Sequence, residues 1–275
     1  MYIAFWYECG EIEKIGMGHR YRSMAIAKEL EERGHKTICI ENSMVIPKGP
    51  DVIVIDHISP ALNVAAIAKS KGIKKAVVID GQDSDADVHI SAFCNYKAEY
   101  KGKEYISFPT HKCTTRYDIN TKSKCVFVSV GGYDKNNHAR KILEYLEHKE
   151  LDAIVAKSIN HVGLEEEFPR ATMFAEDNYY KAMAKCVISI TNGGLSMFQS
   201  LFYGMPTIAI HQYSHQGTNI QASKRFCLWS NIGMVSNDID KLVASYKDRE
   251  SLSEAAQKFV DGKGIERICD IIETI

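Results

Sequence analysis

Short apolar runs alternate with amphipathic ones along the whole chain, and the alternation predicts a βαβ rhythm. Continuous apolar runs predict strands over 2–7, 36–40, 52–55, 76–79 and 88–90, the form taken by strands buried on both faces. Between the first two, Met24, Ile26, Ala27 and Leu30 recur at helical spacing, which predicts a helix over 20–32 with that stripe toward a sheet and Gly34 as its stop. Pro60 predicts the start of a second helix over 61–71. The rhythm lapses between about 95 and 124, a polar stretch rich in Lys, Tyr and Thr. It resumes with strands over 125–130, 153–155, 172–174, 187–190 and 207–210 and helices over 137–148, 178–184, 195–203 and 216–229. Such an order implies an α/β fold of parallel sheets with helices on both faces, whose ligands bind outside the carboxyl ends of the strands. Two Rossmann-like βαβ domains, 1–115 and 120–275, are expected to face each other across a cleft.

A chain of 275 residues with 45% apolar content has enough core-forming residues for two such domains. Thirty-four basic against 35 acidic residues leave a formal charge of −1, so no global field recruits nucleic acid or acidic lipid. The eight cysteines, Cys9, Cys39, Cys94, Cys113, Cys125, Cys186, Cys227 and Cys269, stand singly without metal-ligand spacing and read mostly as small buried hydrophobes. With no leader pattern and no apolar run of membrane length, they point to a soluble protein of a reducing cytoplasm.

Chemistry gathers where predicted strands end. After the first comes Gly16-Met17-Gly18-His19-Arg20-Tyr21-Arg22, a glycine turn opening a helix. Helix N-termini offer unpaired N–H groups and a positive dipole end, so this turn is a candidate anion site. His19 at its mouth is a candidate general base. The turn is neither a Walker loop nor the GxGxxG fingerprint, since it lacks Gly-Lys-Ser/Thr and carries Tyr21 at the last glycine position. Arg22 reads as a phosphate ligand or as a residue flanking the helix. Asp56 ends the third strand, where it orients His19, binds a ligand hydroxyl, or caps the turn before Pro60. His57 reads as a loop histidine, and Asp80, Asp83, Asp85 and Asp87 as a solvated loop facing the cleft, since they fail the calcium-loop pattern. In the second half, Gly131-Gly132-Tyr133-Asp134 repeats the strand-to-turn arrangement. Asn192-Gly193-Gly194-Leu195-Ser196 offers glycine backbone and a hydroxyl at a helix start, which suits a diphosphate. The polar loop from His211 through His215, Gln216 and Asn219 follows a buried strand and reads as ligand-facing.

The segments IGMGHRYRSMAIAKELEERGH, VGGYDKNN and NGGLSMFQSLFYGMPTIAI followed by HQGTNIQA resemble the GT-B superfamily. Within it they are similar to the GlcNAc transferase of lipid II synthesis and to the UDP-sugar hydrolase of pseudaminic acid synthesis with its spore-coat relatives. The resemblance spans almost the whole chain. It implies a GT-B fold and cleavage of the anomeric C–O bond of a UDP-sugar, with His19 as base toward an acceptor hydroxyl or water. It further implies Gly193, Gly194 and Ser196 at the diphosphate, His215, Gln216 and Asn219 along the donor, and Met173 and Phe174 holding the nucleobase through backbone contacts. The glutamate that binds ribose in the family is Gln199 here, and the hydrolase tyrosine after Asp56-His57 is Ile58. That last departure favours a saccharide, lipid-linked or small-molecule hydroxyl acceptor over water; a binding module without turnover is the third reading. Backbone donors can stabilise a departing diphosphate by themselves, so neither metal nor cofactor is expected.

Overall fold

A computed structural model gives the fold. It describes all residues except 10–15, 44, 57–63, 82–83, 94–96, 111–112, 114–115, 120–122 and 176–178, together with the side chain of His215. His57, Ile58, Pro60, Asp83 and Cys94 therefore lie outside the described residues. The chain forms two compact units, Met1–Pro109 with Gly262–Ile275, and Thr110–Asp261.

Unit 1 runs β1 (Tyr2–Tyr7), α1 (Gly18–Glu32), β2 (Lys36–Glu41), β3 (Val52–Asp56), α2 (Val64–Ser70), β4 (Lys75–Ile79), β5 (Val88–Ser91) and β6 (Tyr100–Lys101). Among the described residues its sheet has the order β2-β1-β3-β4-β5-β6, with all pairs parallel. The pleat divides β1 between two cores: Ile3, Phe5 and Tyr7 join Ile26, Ala27 and Leu30 of α1, while Ala4 and Trp6 join Val64 and Ala68 of α2. Both faces are thus covered, as a parallel sheet requires.

Unit 2 runs β7 (Cys125–Ser129), α3 (His138–His148), β8 (Asp152–Ala156), α4 (Leu164–Glu167), β9 (Ala171–Phe174), α5 (Tyr179–Met183), β10 (Ile188–Asn192), α6 (Leu195–Tyr203), β11 (Thr207–Ile210), α7 (Ser214–Ser223), β12 (Leu228–Trp229), α8 (Val235–Ala244) and α9 (Tyr246–Phe259). Its sheet, again parallel, has the order β12-β11-β10-β7-β8-β9. In each unit the strand order reverses at one point, between β1 and β3 and between β7 and β10. Open α/β sheets bind ligands at such reversals, and the glycine turns at 16–18, 131–132 and 193–194 all follow the strands that flank them.

Three elements depart from the pattern reading. The last helix, α10 (Gly264–Thr274), returns to unit 1 instead of completing a 120–275 domain. The cause is its apolar stripe Ile268, Cys269, Ile271 and Ile272, buried in the core that α1 shares with β1. The helix expected over 216–229 ends at Ser223, and Leu228–Trp229 instead pairs with β11 as an edge strand. On α1, Met24 is 47% exposed; the inward stripe is Arg22, Ser23, Ile26, Ala27 and Leu30, so polar residues occupy core-facing positions. Among the described residues no helix is long and apolar enough to cross a membrane.

Candidate active site

In unit 1, His19, Arg22 and Ser23 share one face of the first turns of α1, because residues three and four apart are neighbours on a helix. That face meets the carboxyl end of β3, where Asp56 is 0% exposed. Oδ1 of Asp56 receives His19 Nδ1 and, at 2.6 Å, Arg22 Nη2. Oδ2 receives Arg22 Nε at 2.7 Å and Ser23 Oγ at 3.4 Å. Arg22 thus grips the carboxylate with two parallel N–H donors, the strong geometry for this pair. Burial works to raise the Asp56 pKa, but the Arg22 guanidinium and His19 outweigh it and hold the carboxyl well below the usual range. An ionised carboxylate only accepts, so His19 Nδ1 carries the hydrogen of this bond, and in the neutral ring Nε2 is the nitrogen left to accept a proton.

The third guanidinium nitrogen, Nη1, donates to Oδ2 of Asp80, just past β4. All three nitrogens of Arg22 therefore serve carboxylates, a role that the sequence reading did not include. Burial opposes the charge on Arg22, and Asp56 and Asp80 raise its pKa above the ordinary arginine value. Asp80 is correspondingly a member of the site and not of a solvated loop. The signal that could have found it is its position directly after the apolar run 76–79, as Asp56 directly follows the apolar run 52–55. Of its neighbours in the sequence, Asp87 is tied to the backbone N–H of Ala76 at 2.8 Å.

In unit 2 the glycine turns are built into the switch point. Val130 O accepts from Asn192 Nδ2 at 3.1 Å and from Gln212 Nε2, tying the ends of β7, β10 and β11 together. Gly131 has φ +101°, and a Cβ there would lie 2.5 Å from Asn192 Nδ2. A Cβ on Gly193 would lie 2.7 Å from Ile220 Cγ1 and 2.8 Å from the Gln216 carbonyl, so this glycine lets α7 close on the turn. Asn219 Nδ2 donates to Gly193 O at 2.9 Å, and Gln216 Oε1 accepts Gln212 N at 3.0 Å. Asn219 and Gln216 thus shape the turn from behind. Gly194 and Leu195 are its half-exposed members, while Asn192, Ser196 and Gln199 are buried. Ser196 Oγ accepts from Ser129 Oγ at 2.8 Å, which leaves its own hydrogen to donate, beside the unpaired first N–H groups of α6.

Asp134 takes a different role from the ligand contact expected of it. It is 1% exposed, and its carboxylate accepts His138 N at 2.9 Å and Ala139 N at 2.8 Å, capping α3. Burial works to raise its pKa, yet His161 and these two N–H groups hold it below the usual range. Gly132 O accepts Ile159 N at 2.9 Å. At the edge strand β9, Phe174 O is spent on Lys157 N at 2.9 Å, so by strand alternation the backbone groups of Met173 point off the free edge. The ring of Phe174 packs edge-on to Tyr179 at 6.2 Å. Gly16 and Gly18 open α1 as expected, and a Cβ on Gly16 would meet nothing within 4 Å. Among the described residues no three His, Cys, Asp or Glu gather as a metal-ligand group.

This architecture has known counterparts. A search of family models finds no match. The chain is similar to the spore coat polysaccharide biosynthesis protein SpsG of Bacillus subtilis, with 23% identity over 197 residues, 64% of this chain and 58% of the relative. It spans little over half the length of the curated relatives it matches. Among solved structures, MurG of Acinetobacter baumannii superposes with a TM-score of 0.69 at 12% identity, over 99% of each chain. The fold is GT-B. A UDP-GlcNAc 2-epimerase from Neisseria meningitidis, bound to UDP-GlcNAc, superposes with a TM-score of 0.67 at 8% identity over 100% of both chains. A transferase-like fold that also hosts an epimerase leaves the reaction to be argued from the residues.

Proposed function

We propose that this chain is a glycosyltransferase-like enzyme that cleaves the anomeric C–O bond of a UDP-sugar and passes the sugar to a hydroxyl acceptor, with His19 as general base. The observation that carries the reading is the pair of His19 Nδ1 with the buried Asp56 carboxylate, itself gripped by Arg22. A histidine fixed in one tautomer by a carboxylate is a tool for moving a proton. Nε2 takes the acceptor proton as the acceptor oxygen bonds to the anomeric carbon, and the bond to the diphosphate oxygen breaks. Asp56 then faces the imidazolium; within unit 2, the first N–H groups of α6 and the Ser196 hydroxyl are the donors suited to a diphosphate. The uridine diphosphate assignment is supported by the neighbours of this fold that hold UDP or UDP-GlcNAc.

The test is a panel of nucleotide-sugars incubated with purified protein, with and without hydroxyl acceptors, following nucleotide and sugar by mass spectrometry. UDP release that requires an acceptor is the expected result, together with its loss in His19→Ala. Asp56→Asn should lower kcat by a thousandfold or more, on the order of what the tautomer error costs in a catalytic triad, while donor affinity holds. Acceptor-independent release of UDP and free sugar would make water the acceptor and the chain a hydrolase. Unchanged turnover in His19→Ala would remove His19 from its role.

A further inference from the structure

We infer that Asp80 is a positioning residue for the His19 base, acting through Arg22 and Asp56; its catalytic consequence rests on the reading of His19 given above. Four observations in unit 1 carry the inference. First, Asp80 adopts φ +51°, the left-handed region that a non-glycine residue enters at a free-energy cost and that structures retain where surrounding contacts over-determine it. Second, those contacts are present. Its Oδ1 receives Ser91 Oγ and Ala92 N, each at 2.9 Å, and its own N–H donates to Ile90 O at 2.9 Å, so the end of β5 fixes the carboxylate in space. Third, the remaining oxygen is the one turned to Arg22 Nη1. Arg22 spends Nε and Nη2 on Asp56, and without Asp80 the buried Nη1 edge would have no acceptor and the guanidinium no second anchor. Fourth, β3 and β4 are paired in register, so the two carboxylates stand at adjacent strand ends with one guanidinium between them. The trio of Asp56, Arg22 and Asp80 carries a formal charge of −1, opposite to the imidazolium formed when His19 takes a proton.

Asp80→Asn separates charge from strain, because asparagine tolerates the left-handed backbone and keeps an acceptor for Ser91 and Ala92. The direct readout is the ¹⁵N spectrum of the His19 imidazole, which needs no substrate. In the wild-type protein it should show Nδ1 protonated, and in Asp80→Asn it should move toward a mixture of tautomers. On a UDP-sugar that the wild type turns over, kcat should fall about 10- to 100-fold, by analogy with the loss of the groups that orient metal-bound histidines, with KM held within about twofold. Asp80→Gly relieves the backbone strain but also removes the carboxylate that Arg22, Ser91 and Ala92 bind, so its kcat should fall equally whichever way its thermal stability moves; a merely structural role would make activity follow stability. Unchanged His19 shifts in both variants would overturn the inference whatever the turnover. Shifts that move in Asp80→Asn support it even where no UDP-sugar is consumed by the wild type, and that second failure would count against the transferase reading alone.

Discussion

His19 reaches its carboxylate because α1 turns a polar pair, Arg22 and Ser23, toward the sheet where an ordinary amphipathic helix would turn apolar side chains. A hydrophobic pattern cannot show this, and it assigned the inward position to Met24. Asp56 was legible because it directly follows an apolar run, and His19 because a glycine turn opens a helix beside it. The clamp of Arg22 between two carboxylates was not, since it depends on which strand ends the fold brings side by side. Glycines separate the same way. Gly193 is required by packing, and Gly193→Ala forces a Cβ onto Ile220 and the Gln216 backbone, an overpacking expected to cost about 1–3 kcal/mol. Gly16→Ala meets open space and should leave the unfolding midpoint unchanged. A loss of turnover in Gly16→Ala at full stability would assign that glycine to a ligand; measurable destabilisation there, or none in Gly193→Ala, would contradict the packing described.

Among elements, α3 depends on an unusual cap. Its flanking residue Asn137 sits at φ +51° without a side-chain cap, and Asp134 bonds the first two helical N–H groups from four residues upstream of His138. Asp134→Ala should therefore destabilise unit 2 by about 1–2 kcal/mol, the worth of a helix cap, seen as a lower urea midpoint at unchanged slope. A change below a few tenths of a kcal/mol would return Asp134 to the ligand-facing role that its place after Gly131-Gly132 predicts from sequence. Strands were the most legible elements, because continuous apolar runs ending in glycine or charge have few alternatives. The stretch over 216–229 was misread since Leu228 and Trp229 fit a helical period as well as a strand; only the open edge of β11 decides between them.

At the scale of the whole molecule, two parallel sheets followed from the alternation of elements, but the return of α10 to unit 1 did not, because an apolar stripe names no partner. The acid response belongs to this scale as well. Asp56 and Asp134, one in each unit, are held below the pKa they have in the unfolded chain. The unfolded chain therefore binds protons first on acidification. The stability these groups contribute is complete above the ordinary aspartate value of about 4 and is lost as pH falls below it, so the urea midpoint should be level near neutrality and drop below about pH 4. Asp56→Asn should flatten part of that drop, and an unaltered profile would remove the linkage. The residues proposed for catalysis divide along the same boundary. The turn proposed for the diphosphate, 193–196, lies in unit 2 and the proposed base His19 in unit 1, so on that proposal UDP, which lacks the sugar, contacts unit 2. Hydrogen exchange with UDP should slow amides at 193–196 beyond the uniform protection that binding to the native state gives every amide exchanging through global unfolding, with no such local excess in β1 and β3, while His19→Ala should bind UDP within about twofold of wild type. Protection confined to the glycine turn at 16–18 would reverse the assignment and make unit 1 the nucleotide-binding half.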